Sequence, residues 1–223
     1  MKAVLTGLIL LCVHTGAAAL DGRTSLQWSD QFDTTLSAPQ PAPDFASMPE
    51  LSAHSVLVLD QASGQALLSK NAGLQTPIAS ITKLMTAMLV IDAAQPLDER
   101  IVITDEDRDT LKGTGSRLAI GARYTRGQLL HLALIASDNR AAHALGRSYP
   151  GGLQRFVATM NRMARALGMH DTVYVEPTGL SSKNQSSARD LAVLVKAAYQ
   201  HPVLREYSTS PDASVPVGRR MVQ

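Results

Sequence analysis

Apolar and polar positions along this chain fall into blocks with distinct periods, and the blocks predict its elements. Residues 55–60 and 65–70 are two short apolar runs around the turn Gln61-Ala62-Ser63-Gly64, the pattern of a β-hairpin. From Ile81 to Ile91 every position except Thr82, Lys83 and Thr86 is apolar. A helix apolar all round belongs inside a core rather than on a surface. Residues 100–104 read as a short strand, and 105–123 as an acidic, then glycine-rich excursion. A second strongly apolar helix is predicted over 126–136, with Thr125 as its N-cap and Leu129, Leu130, Leu132, Leu134 and Ile135 inside. It stops at Ser137-Asp138-Asn139. Helical spacing resumes over 140–149 and breaks at Pro150-Gly151-Gly152. Leu153, Phe156, Val157, Met160, Ala164 and Leu167 then mark an amphipathic helix. Arg155, Asn161, Arg162 and Arg165 fall on its other faces, and the three arginines are expected to form a solvated face rather than a polymer-binding patch. Residues 187–200 predict a further helix, and the chain after His201-Pro202 reads as polar and irregular.

The first 50 residues stand apart. Lys2 is followed by an apolar run from Ala3 to Val13 and then by Gly16-Ala17-Ala18-Ala19, which is the layout of a secretory signal peptide over 1–19. The run is too short to span a bilayer, so no membrane span is expected after cleavage. Cys12, the single cysteine, lies inside it, and Leu11 before it argues against a lipid-attachment box. The mature chain is therefore expected to lack thiol, disulfide and cysteine metal site. The expected location is the periplasm. Residues 20–50 are polar and contain Ala38-Pro39-Gln40-Pro41-Ala42-Pro43, which reads as a linker or arm; Trp28 and Phe32 do not by themselves make a site. That leaves 51–223 as one folded domain, and an apolar fraction of 45% is ordinary for one. A net charge of +2 without any Lys/Arg run speaks against nucleic acid as a partner.

Chemistry concentrates at two places. Ser80 and Lys83 are three apart at the head of the first apolar helix, where i and i+3 share a face. A lysine sunk in such a helix is costly to keep charged, so its pKa falls toward that of a useful base. The helix dipole at this end favours negative charge near Ser80. The pair reads as a nucleophile with its base beside it; the plainer alternative is a capping serine and a snorkelling lysine. Ser137-Asp138-Asn139 lies where two apolar helices meet. There a serine hydroxyl can relay a proton between Lys83 and a leaving group, and the Asn139 amide can bind a peptide backbone. The plainer alternative there is a capped helix–loop–helix junction. Ser182-Lys183-Asn184 repeats Ser-x-Asn in a polar loop and is set aside as a chance match. His54, His131, His143, His170 and His201 show no His-x-x-x-His spacing, so no metal or other cofactor is expected; His131 and His143 read as core or surface histidines.

With Glu176-Pro177-Thr178-Gly179-Leu180, these motifs make residues 51–207 resemble the penicillin-binding D-alanyl-D-alanine peptidases of the serine S11 type, most of all the periplasmic endopeptidases. The resemblance implies an α/β fold of the β-lactamase/transpeptidase kind, an antiparallel sheet flanked by helices with the Ser-x-x-Lys helix buried between. It also implies hydrolysis of D-amino-acid peptide cross-links of peptidoglycan, as an endopeptidase or carboxypeptidase. Ser80 would form the acyl-enzyme, Lys83 act as its base, Ser137 shuttle the proton and Asn139 hold the substrate backbone. β-Lactams would be covalent mimics of the substrate.

One motif of that family is missing. None of the six lysines is followed by Thr-Gly or Ser-Gly; Lys112-Gly113-Thr114-Gly115 has the letters in the wrong order and precedes Ser137. His14-Thr15-Gly16 resembles a variant of the motif but falls in the signal peptide. The expectation is that the 223 residues stop short of the family's last strands, leaving an unpaired hairpin edge, an exposed apolar helix face, and a product that is poorly soluble and acylates slowly or not at all. Two alternatives follow. One is an inactive penicillin-binding-like protein that binds cell wall or a partner. The other is a β-lactamase, which is disfavoured because Glu176 is followed by Pro-Thr-Gly-Leu and no Glu-x-x-Leu-Asn occurs.

Overall fold

The computed structural model describes residues 51–211, 215–217 and 220–222; the expected signal peptide and Pro-rich arm lie outside the described residues. In chain order the elements are β1 (Val56–Leu59), β2 (Ala66–Lys70), β3 (Thr76–Pro77), a 3₁₀ turn (Ala79–Ile81), α1 (Thr82–Asp92), β4 (Arg100–Val102), a second 3₁₀ turn (Asp105–Asp107), β5 (Arg123–Thr125), α2 (Arg126–Ile135), α3 (Asn139–Arg147), α4 (Gly152–Ala166), β6 (Gln185–Ser186), α5 (Ala188–Tyr199), α6 (Pro202–Thr209), β7 (Val215–Val217) and β8 (Arg220–Val222).

Helix α1 is the axis. Eight of its eleven residues are buried, including Met85, Ala87, Met88, Leu89 and Val90, and α2, α3, α4 and α5 all pack against it. This is the outcome that an all-round apolar pattern requires. The surrounding helices start where side-chain caps allow. Thr125 accepts from Gln128 N at 3.1 Å while Gln128 Oε1 accepts from Thr125 N at 2.9 Å, a reciprocal box that fixes the first turn of α2. Asp138 Oδ1 accepts from Ala141 N at 2.9 Å and opens α3. Ala141, Ala142, Ala144 and Gly146 give α3 a small-residue face, and a Cβ at Gly146 would already press on Phe156 and Pro177 at 3.1 Å.

One sequence expectation needs correction here. The segment after His201 is not irregular: Pro202 opens α6 at a first-turn position, where its missing N–H costs nothing. Leu204 is buried beneath this helix and Tyr207 stacks on His131 with ring centroids 4.5 Å apart. Asn161 of α4 binds the protein's own backbone. Its amide donates to Tyr174 O at 2.7 Å and accepts from Tyr174 N at 2.9 Å, tying the loop before β6 to α4. The three arginines grouped with it are exposed as expected.

The strands form four two-stranded antiparallel ladders, β1–β2, β3–β6, β4–β5 and β7–β8. The mixed fold with a buried Ser-x-x-Lys helix therefore holds, with helices dominant and no ladder wider than two strands among the described residues. The predicted hairpin is β1–β2, and it carries exposed Val58 and Leu67, as α5 carries exposed Val195 and Tyr199. The strand expected over 100–104 leaves its ladder at Val102, because Thr104 caps the turn of Asp105–Asp107. β5 closes the excursion by pairing with β4. No helix of the described residues is long and apolar enough to cross a membrane.

That turn holds a buried charge. Asp107 accepts from Arg147 Nη2 at 2.8 Å and Arg147 Nε at 3.0 Å, from Thr104 N at 2.8 Å, and hydrogen-bonds His143 Nδ1 at 2.8 Å. Burial works against the charge, but bonds from His143 and Arg147 outweigh it and hold the carboxyl at about 2. A depressed carboxylate stabilises the fold fully above the unfolded value and less as pH falls through the folded one. Asp107→Asn is expected to lower stability near neutral pH by about 2–3 kcal/mol, a gap that urea melts should find closing as the pH approaches about 2.

Candidate active site

The chain reaches Ser80 through a constrained bend. Ile78 is buried and donates to Asn184 O at 3.1 Å, and Ala79 turns with φ +44°, a left-handed conformation rare for alanine. Ser80 follows in the 3₁₀ turn and is exposed; Ile81, not Ser80, is the N-cap of α1. The serine hydroxyl is thus not a helix cap, and is left free for other partners. Lys83, one turn on, is 2% exposed. Its Nζ lies 3.0 Å from Ser80 Oγ, 2.7 Å from Asn139 Oδ1 and 2.7 Å from Thr178 O. Burial pulls its pKa from 10.5 down to about 8, against the opposing pull of Glu176 and Asp138.

These three partners are not alike. The Asn139 and Thr178 oxygens can only accept, whereas the Ser80 hydroxyl can donate. A neutral Lys83 amine has two protons for the two carbonyls and a lone pair for Ser80 O–H. The surroundings therefore match the neutral base as well as the ammonium.

Ser137 lies across from Ser80, with 2.8 Å between the two hydroxyl oxygens. It reaches there because its backbone adopts φ +51° between the end of α2 and the cap of α3. Left-handed non-glycine residues cost about 1–3 kcal/mol each and gather at functional sites; Ala79 and Ser137 flank this one. Ser137-Asp138-Asn139 is a capped junction whose flanking residues face the Ser80–Lys83 pair. Asp138 caps α3, while the residues on either side turn to Ser80 and Lys83. All four residues singled out from the sequence meet at one point.

A third segment completes the site, and the motifs alone did not give it a structural role. Glu176 Oε1 accepts from Gly179 N at 2.7 Å, Asn184 Nδ2 at 3.0 Å and Ser181 N at 3.3 Å, and Oε2 accepts from Thr178 N at 2.6 Å and from the Thr178 hydroxyl. This clamp presents Thr178 O to Lys83 and Pro177 O to Thr86 Oγ1 at 2.7 Å. Asn184, set aside as part of a chance motif, is fully buried and donates to Thr82 Oγ1 at 3.1 Å. It takes no part in a Ser-x-Asn constellation, but it staples the clamp to α1. Its signal was faint because one buried asparagine in a polar loop looks like any turn residue. With five donors on its two oxygens, Glu176 has no free lone pair facing the cleft to activate a water, which is a structural argument against β-lactamase turnover.

The chain is 48% identical over 183 residues to the D-alanyl-D-alanine endopeptidase of Pseudomonas aeruginosa, covering 82% of this chain and 59% of that protein. It is 44% identical over 165 residues to the D-alanyl-D-alanine endopeptidase of Escherichia coli, covering 74% of this chain and 53% of that protein. The chain thus spans less than two thirds of the length of these curated relatives. The crystal structure of D-alanyl-D-alanine carboxypeptidase from Mycobacterium tuberculosis superposes with a TM-score of 0.71 at 29% identity, over 82% of this chain and 69% of that one. The sequence profile of peptidase family S11, described as D-alanyl-D-alanine carboxypeptidase, matches residues 42–221, and the chain belongs to that family.

Proposed function

We propose that this chain carries the nucleophilic half of a serine peptidase that cleaves D-alanyl-D-alanine-type peptide bonds of peptidoglycan, as an endopeptidase or carboxypeptidase. The observation that carries the reading is the junction of Ser80 Oγ, Lys83 Nζ and Ser137 Oγ, linked at 3.0 and 2.8 Å. Neutral Lys83 takes the Ser80 proton as Oγ attacks the substrate carbonyl carbon. The ammonium so formed is stabilised by Asn139 Oδ1 and Thr178 O. The Ser137 hydroxyl, 2.8 Å from Ser80 Oγ, gives its proton to the leaving amine and is reprotonated by the Lys83 ammonium; the C–N bond breaks, and an ester remains on Ser80. Water attacks that ester with Lys83 again accepting a proton, which returns to Ser80 Oγ as the acid product leaves. Asn139 supplies an N–H for a substrate backbone carbonyl. β-Lactams, whose ring amide mimics the scissile bond, acylate Ser80 by the same steps but retain the leaving nitrogen. The reading puts the protein in the periplasm, where its substrate lies, and rests there on the signal-peptide pattern of residues 1–19.

A second reading, a protein that binds cell wall without turning it over, is separated by assay. Prolonged incubation with cross-linked muropeptide dimers separates the readings. The peptidase reading predicts slow release of monomers, abolished by Ser80→Ala; release of D-alanine from pentapeptides measures carboxypeptidase action in parallel. Retained binding to peptidoglycan with no product in either assay would establish the second reading.

A further inference from the structure

The strap between β4 and β5 does more than close a loop. Residues 138–140 each grip it: Ser116 Oγ donates to Asp138 Oδ2 at 2.8 Å, Asn139 Nδ2 donates to Thr114 Oγ1 at 2.9 Å, and Arg140 Nη1 donates to Leu118 O. The strap is shaped from within by Asp109, whose carboxylate accepts from Leu111 N at 2.8 Å, Lys112 N at 2.9 Å, Thr114 N at 2.8 Å and Thr114 Oγ1 at 2.6 Å.

We propose that Thr114 is a positioning residue for the active site, its hydroxyl locking the Asn139 amide in the orientation that aims Oδ1 at Lys83 and leaves one N–H for substrate. The argument is one of hydrogen-bond polarity. Burial opposes the charge, but the bonds from Thr114 and the strap backbone together outweigh it and lower the carboxyl's pKa, so Asp109 stays ionised and can only accept. The Thr114 proton is therefore committed to Asp109, and toward Asn139 the hydroxyl can only accept. An acceptor there requires the amide NH₂ on that side, which turns Oδ1 to Lys83. A flipped amide would set NH₂ against the Lys83 ammonium, donor against donor. In the neutral state that NH₂ would bind the amine lone pair that Ser80 O–H needs. A side chain 31 positions from Lys83 in sequence thus fixes which partner the base can serve.

The inference rests on Lys83 acting as the base for Ser80, but its test does not need turnover. The full chain labelled with ¹³C at lysine Cε has six lysines, and Lys83→Arg assigns the resonance in question. In the parent it should titrate at about 8, with Glu176 and Asp138 the charged groups facing it. Thr114→Val and Asp109→Asn leave both carboxylates in place. Each is expected to lower the Lys83 titration by about one pH unit or more, because the ammonium loses an acceptor and meets a donor. Thr114→Ser should restore the parent value. Penicillin acylation should fall about tenfold or more in the same two variants, although more amine is neutral, as expected when the base is misdirected. A strap that merely braces the loop would leave the titration where it is. An unchanged titration in both variants, or failure of Thr114→Ser to rescue, overturns the proposal. A parent chain that never acylates but shows the shifts refutes the functional reading and leaves the role of Thr114 standing.

Discussion

Lys83→Arg is expected to slow acylation of Ser80 by about a hundred- to ten-thousand-fold, the range that a positioned general base contributes. Arginine keeps a positive charge and can still donate to Asn139 Oδ1 and Thr178 O, but it cannot give up a proton at any accessible pH. The substitution therefore separates charge from proton transfer. Stopped-flow or mass-spectrometric rates with labelled penicillin measure the loss; a near-normal rate would show that the site needs only a cation. The parent supplies the matching pH dependence. Since the neutral amine is the working form and its pKa is lowered to about 8, the acylation rate should rise with pH and level off above about 8. Without the lowered pKa the rise would continue toward the ordinary lysine value of about 10.4.

Gly179→Ala, a change of one methyl group, is expected to abolish measurable acylation. Gly179 has φ +86°, and a Cβ built on it would stand 1.8 Å from Ala79 O, 2.3 Å from the Ala79 carbonyl carbon and 2.9 Å from Ser80 N. These are backbone atoms, so no side chain can swing aside. Either the clamp or the turn that carries Ser80 must move. The left-handed backbone adds about 1–2 kcal/mol for any L-residue. A displacement of about 1 Å in a reacting group can cost a hundred-fold in rate, and here the hydroxyl, the base and Thr178 O shift against one another together. Comparing Gly179→Ala with Gly64→Ala controls for the conformational cost, since Gly64 also has positive φ (+70°) but nothing within 4 Å of its missing Cβ. Gly64→Ala should lose some stability and keep its acylation rate; equal losses of rate in both would deny the close approach its role.

How much of this was readable beforehand differs by element. The all-round apolar segment gave α1 and its burial, and the i, i+3 spacing brought Ser80 to Lys83, because both follow from helix geometry alone. The junction of α2 and α3 was equally legible, since Thr125 and Asp138 are strong caps bordering strongly periodic segments. Tertiary partners were not. Glu176, Thr178 and Asn184 sit in a loop without period, and their roles come from backbone amides that the sequence does not display. Gly179 stood within the motif Glu176–Leu180, but only its contact with Ala79 gives a physical reason for a glycine there. Thr114 lay in a motif of the wrong order, Lys112-Gly113-Thr114-Gly115, and its contact with Asn139 depends on how the β4–β5 ladder folds the strap back. The tail departs from its irregular pattern because a proline that ends one helix can equally open the next, as Pro202 does.

The account stands on Ser80 being the residue that bonds to substrate. Residues 20–223, incubated to completion with a labelled penicillin, digested and mapped by mass spectrometry, test this directly. The predicted result is a single adduct on the peptide containing Ser80, lost in Ser80→Ala and formed faster as pH rises through about 8. An adduct on any other residue, an adduct persisting in Ser80→Ala, or no adduct at any pH would contradict it.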